Sequence, residues 1–67
     1  MPTIRFPAVR VRLTGRDGNA LAIVAAVSRA LREARVPGED IDAFQAEALS
    51  GGYETVLRTA LSWVTVL

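Results

Sequence analysis

The chain contains no cysteine, no histidine and no lysine. Without cysteine there is no disulfide to brace it and no thiolate to hold a metal. Without histidine it lacks the commonest general base and the commonest metal ligand. Long apolar runs are also missing. The longest uncharged stretch, Gly18 to Ser28, is about half the length a helix needs to span a bilayer. Arg5 is not followed by a continuous apolar segment, because Pro7, Arg10 and Arg12 interrupt it, so an export signal is not expected. The expected setting is cytoplasmic, with no membrane as partner.

What remains is short and apolar. The 67 residues are expected to form one domain, 1–67, with 1–7 as a possible N-terminal arm. A chain of this size buries only roughly 60% of the surface its unfolded form exposes. Yet 51% of its residues are hydrophobic. Self-association would bury apolar surface that a monomer leaves wet, so a homodimer is the expected state.

Net charge is only +1, but it is unevenly placed. Residues 1–36 carry seven arginines against Asp17 and Glu33, which leaves +5. Residues 37–67 carry Arg58 against Glu39, Asp40, Asp42, Glu47 and Glu54, which leaves −4. The imbalance reads first as complementarity within the domain or across a dimer, and second as a basic surface for an anionic partner.

Val9, Val11 and Leu13 alternate with Arg10, Arg12 and Thr14. This period of two predicts a strand over about Val9 to Thr14, one face buried and the other bearing arginine. Ile4 and Phe6 have the opposite parity, so either a bulge near Pro7 restores the face or residues 1–7 form a separate arm. The arm, or an edge extension, is the preferred reading. Asp17, Gly18 and Asn19 carry turn chemistry, with Gly18 suited to positive φ and Asn19 to capping a helix that starts at Ala20.

Helix one is expected to run to about Arg35, its buried stripe made of Leu21, Val24, Val27, Leu31 and Ala34 and widened by Ile23. The alanines allow close approach of a neighbour. Ser28, Arg29, Arg32, Glu33 and Arg35 mark the wetter side, with Arg29 and Glu33 a favourable i,i+4 pair. Val36-Pro37-Gly38 stops the helix. Helix two should span about Glu39 to Leu49, burying Ile41, Phe44 and Ala48, with Leu49 a further candidate for the stripe. Gly51 suits its C′ position. Helix three should run from Tyr53 to about Ser62, with Val56, Leu57, Ala60 and Leu61 inward. Trp63 to Leu67, rich in β-branched and aromatic residues, reads as a short strand able to pair with Val9–Leu13, in preference to a helix continuing to the end. The expected fold is therefore α+β in β-α-α-α-β order, the N-terminal strand pairing with a short C-terminal strand over a helical layer.

The pattern Gly15-x-Asp17-Gly18-Asn19-Ala20-x-Ala22-Ile23, then Arg29-Ala30-Leu31-Arg32, then Ile41-x-x-Phe44-x-x-Glu47-Ala48-x-Ser50-Gly51-x-Tyr53, with Leu57, Thr59 and Trp63-Val64, resembles a family of short uncharacterised proteins. These occur in bacteriophages, prophages, plasmids and actinobacterial genomes. The Asp-Gly-Asn-Ala turn and the Ser-Gly-x-Tyr hinge are its most specific parts. Members often carry Asp after the hinge glycine and an acidic-His pair after the tyrosine, where this chain has Gly52 and Glu54-Thr55. Capping of helix three explains that Asp economically, and Gly52 can serve as an N-cap too. The resemblance implies a fold and a mobile-element origin, and it implies no activity.

Catalysis is not expected. With no His, Cys or Lys, a serine or tyrosine nucleophile has no activating partner. Gly15-x-x-Gly18 lacks the Lys and Ser/Thr of a phosphate loop. Glu39, Asp40 and Asp42 suit a first helical turn, and the oxygen-rich pattern of a calcium loop is missing, so no metal or cofactor is expected. The leading expectation is a small non-enzymatic protein-interaction module, phage- or prophage-derived, acting in the host cytoplasm on a host or phage protein. Its contact surface would combine Arg10, Arg12 and Arg16 with exposed parts of Ile4 and Phe6. Asp17, Gly18, Asn19, Gly51 and Gly52 would serve as turns and caps. The alternative is a ribbon-helix-helix-like nucleic-acid binder, reading DNA with the outward arginines of the first strand.

Overall fold

A computed structural model describes residues 3–13 and 19–67. Strand β1 (Phe6–Val11) is followed by helices α1 (Ala20–Glu33), α2 (Gly38–Ala48) and α3 (Tyr53–Trp63), and then by strand β2 (Val64–Val66). This is the β-α-α-α-β order and α+β class expected from the sequence. The two strands pair in parallel. Parallel neighbours need a long crossover, and here all three helices supply it, packing on one another while α1 lies against β1 and α3 runs directly into β2.

β1 begins earlier and ends sooner than the alternation of Val9 to Thr14 predicts. Phe6 pairs with Val64, Arg10 with Thr65 and Val11 with Val66, with a break in register between Phe6 and Arg10. That bulge is where the parity changes: Phe6 is half-buried on one side of it, and Val9 and Val11 are buried on the other. Pro7, which has no N–H to give, sits in the bulge, and its carbonyl accepts the Thr65 hydroxyl at 2.7 Å. Of the two forms expected for residues 1–7, a separate arm or an edge extension, the described part takes the second, with the bulge at Pro7. The Arg5 N–H donates to the Ser62 carbonyl at 3.0 Å, which ties the segment to the end of α3. At its other end the ladder stops with β2, so Arg12 and Leu13 lie outside the strand. Thr14 lies outside the described residues.

α1 starts where the cap residue predicts. The Asn19 side-chain oxygen accepts from the Leu21 N–H at 2.9 Å and the Ala22 N–H at 3.4 Å. Asn19→Ala is expected to cost about 1 kcal/mol as a lost cap, read as a lower urea midpoint at unchanged slope; an unchanged midpoint would contradict the capping role.

The phase of α1 differs from the expected stripe. Ile23, Val24, Val27, Ser28 and Leu31 are buried, whereas Leu21 and Ala34 are exposed. Leu21 sits in the first turn, beyond the face that Val27 centres. Ser28, expected on the wet side, is buried because its hydroxyl accepts from Gln45 Nε2 of α2 at 3.0 Å. A buried hydroxyl with a partner is tolerated where a bare one is not. Arg29 and Glu33 do pair, at 3.8 Å, but both are largely exposed, so the contribution is small.

The helix ends two residues before Arg35 because Arg35 adopts φ 64°. The Val36 N–H donates to the Leu31 carbonyl and the Arg35 N–H to the Arg32 carbonyl, both at 3.0 Å. This is a Schellman ending with arginine in the left-handed position that glycine favours. Arg35→Gly is therefore expected to stabilise the fold by about 0.5–1 kcal/mol, raising the thermal midpoint; a fall would contradict this account of the helix end.

α2 buries Ile41, Phe44 and Ala48 as expected, while Leu49 stays exposed. Gly51 does not occupy a left-handed C′ position. Its role is steric: a Cβ there would collide with Thr55 Oγ1 and lie 3.1 Å from Thr55 Cβ. Gly52 is the N-cap of α3, as expected. The inward set of α3 is Val56, Thr59, Ala60 and Trp63, in place of the expected set containing Leu57 and Leu61. Leu57 is half-buried and Leu61 exposed. Trp63 belongs to the helix as its last residue, and as the largest inward side chain it sets the phase.

The core is one cluster drawn from all five elements. Trp63 is its junction. The Phe44 ring meets it edge-on at 5.5 Å and the Phe6 ring lies 5.8 Å away. The indole N–H donates to Glu47 Oε2 at 3.0 Å, and the Arg5 guanidinium lies 4.1 Å over the ring. Arg5 also stands 3.7 Å from Asp40. Trp63 thus joins the start of β1, the middle of α2 and the end of α3, each contact adding to its burial.

Candidate functional site

The arginine face of β1 follows from alternation. Val9 and Val11 point into the core, so Arg10 and Arg12 point out, and both are exposed. The backbone of the same residues also alternates. The Val11 carbonyl accepts from the Leu67 N–H at 2.9 Å, so Val11 directs its peptide groups at β2. The N–H and C=O of Arg10 and the N–H of Arg12 then face the opposite edge. Among the described residues, no second strand pairs with that edge.

A groove of about 520 Å³ opens beside it. One wall is Arg10, Val11 and Arg12. The other is the outer flank of α1: Ala22, Ala25, Ala26 and Ala30, with Arg29 and Glu33 at the rim. No described β2 residue lines it, which puts it at the open edge of β1. Four alanines at three- and four-residue spacings leave room where longer side chains would fill it. Glu33 is engaged by Arg29, so Arg10 and Arg12 dominate the charge. The lining holds guanidinium, carboxylate and aliphatic groups, which suit recognition of an anionic, partly apolar partner.

Of the expected contact residues, the structure brings Arg10 and Arg12 together. Ile4 and Phe6 do not join them. Both are half-buried, and Phe6 packs on Trp63 at the far end of β1; the bulge at Pro7 turns its side chain toward the core. Arg16, Asp17 and Gly18 lie outside the described residues. Asn19 caps α1, and Gly51 and Gly52 shape the α2–α3 hinge away from the groove. Arg29 and the alanines of helix one, read from sequence as an ion-pair partner and as small residues that admit a neighbour, are not part of the expected contact surface. The signal was the spacing of Ala22, Ala26 and Ala30 along one side of the helix, but which neighbour that side approaches is set by tertiary packing.

Among the described residues no helix is long and apolar enough to cross a membrane. The chain matches no known family model, no curated protein and no solved structure.

Proposed function

We propose that this protein is a non-enzymatic interaction module whose contact surface is the arginine-walled groove between β1 and α1. The observation that carries the reading is the coincidence, at one place, of a strand edge unpaired among the described residues, two outward arginines and an alanine-lined recess. Each is common alone. Together they offer a partner backbone hydrogen bonds, charge and shape. A host or phage protein as the partner rests on the sequence resemblance of the Asp17–Ala20 turn and the Ser50–Tyr53 hinge. A homodimer acting in the cytoplasm completes the reading. The dimer is supported by Leu49, Tyr53, Leu61 and Leu67, large apolar side chains left exposed outside the groove.

The test is capture from host lysate on immobilised protein, with Arg10→Glu/Arg12→Glu as the matched bait. The wild type should retain a partner that the variant loses, while far-UV circular dichroism of the two stays the same. Equal capture by both would remove the groove from the account. Light scattering on the same samples should give twice the chain mass, without a shift on adding random duplex DNA at low salt. A duplex that binds and is released as salt rises would favour DNA binding through Arg10 and Arg12 instead.

A further inference from the structure

The groove has a directional chemistry that specifies more than an anionic partner. Resting on the interaction reading above, we infer that its occupant is an extended acidic segment of the partner, which adds to the open edge of β1 as a further strand. The N–H and C=O groups of Arg10 and the N–H of Arg12 face that edge, and among the described residues no strand meets them. An extended backbone satisfies such a row of donors and acceptors; a helix, whose own peptide groups are already paired, cannot.

The side chains then dictate the sequence pattern of the guest. A strand laid beside β1 would project every second residue to the outer face, next to the exposed Arg10 and Arg12, where opposite charge stabilises a cross-strand neighbour. Acidic residues belong there. The residues between them would turn inward, toward Ala22, Ala26 and Ala30. Those positions leave space for small aliphatic side chains. The guest reads acid–aliphatic–acid–aliphatic over about four to six residues.

Charge also excludes a second copy of β1. Pairing β1 with its own copy would bring Arg10 and Arg12 against the same arginines, a like-charge arrangement that destabilises a strand pair. The occupant is therefore a different segment, and the edge stays available in a dimer built on another face.

The probes are capped octapeptides titrated into isotopically labelled protein and followed by amide chemical shifts. The parent alternates Glu and Val; a second alternates Lys and Val; a third is the parent with every backbone nitrogen methylated. The parent should bind saturably and shift the Arg10, Arg12 and Ala25 amides, with slowed exchange at Arg10 and Arg12. The lysine and N-methyl peptides should not bind. Arg10→Glu/Arg12→Glu should weaken the parent at least about tenfold. Ala25→Trp, at an exposed position on the groove wall, should weaken it comparably with every charge in place.

Equal binding of the N-methyl peptide would overturn strand addition, as would shifts confined to another face or no saturation at millimolar peptide. Displacement of the parent by random duplex DNA would overturn the acidic-segment occupant. If the peptide fails while lysate capture still depends on Arg10 and Arg12, the interaction reading stands and only the strand mode falls. If both fail, both fall.

Discussion

Trp63→Ala is expected to leave the chain largely unfolded at 25 °C. Trp63 is almost fully buried and, from the end of α3, touches two other elements: Phe6 of β1, Phe44 of α2 and, through its indole N–H, Glu47 of α2. Truncating a buried Trp costs about 3–5 kcal/mol. A chain of this length has a total stability of about 3–10 kcal/mol, so the loss removes much or all of it. Glu47, deprived of the indole donor, returns to water at little cost because it is exposed. Trp63→Phe keeps an aromatic ring between Phe6 and Phe44 and should remain folded with a lower urea midpoint. Far-UV circular dichroism reads both, since Trp63 is the sole tryptophan and its fluorescence is lost with it. A Trp63→Ala protein that melts within a few degrees of the wild type would show that the junction at the end of α3 is not the centre of the core.

Gly51→Ala should destabilise by about 1–3 kcal/mol as a local overpacking. The added Cβ would meet the Thr55 hydroxyl oxygen and crowd Thr55 Cβ. This predicts a coupling. In a Thr55→Ala background the same Gly51→Ala change should cost much less, because the colliding oxygen is gone. Double-mutant cycles on contacting residues report such interaction energies at about 0.5–3 kcal/mol. Urea midpoints of the four proteins test it. Strict additivity would mean that Gly51 is required for some reason other than its approach to Thr55. By contrast, a Cβ on Gly52 meets nothing within 4 Å, so the two adjacent glycines should respond differently to the same substitution.

The elements that could be read from the chain are those with local physical causes. Asn19 is a cap because of its own side chain, and it places the start of α1. Ile41, Phe44 and Ala48 are the chief apolar residues of a helix otherwise dominated by polar ones and alanine, so its face has little ambiguity. The β-branched run after Trp63 does form a strand. The phases of α1 and α3 were less legible. In α1 the apolar residues extend most of the way around, and the choice between Leu21 and Ser28 is decided by Gln45 on another helix. In α3, assigning Trp63 to the strand removed the residue that sets the inward face.

The candidate site divides the same way. Arg10 and Arg12 were visible because alternation in a strand is local. The hydrophobic character of Phe6 suggests a place beside them, but the bulge at Pro7 sends it to Trp63. Arg29 and the alanine flank enter only when α1 folds back beside β1, a long-range event that no local pattern encodes. The parallel pairing has the same character, since β1 and β2 meet only after three helices have been laid between them.

The functional account depends on β1 being paired along one edge and open along the other. Amide hydrogen exchange along β1, measured on dilute protein alone, tests that most directly. The Val11 amide faces β2 and should exchange slowly, while the Arg10 and Arg12 amides face the groove and should exchange quickly. If Arg10 and Arg12 are as protected as Val11, the edge is already covered, and the groove is not free to receive a partner strand.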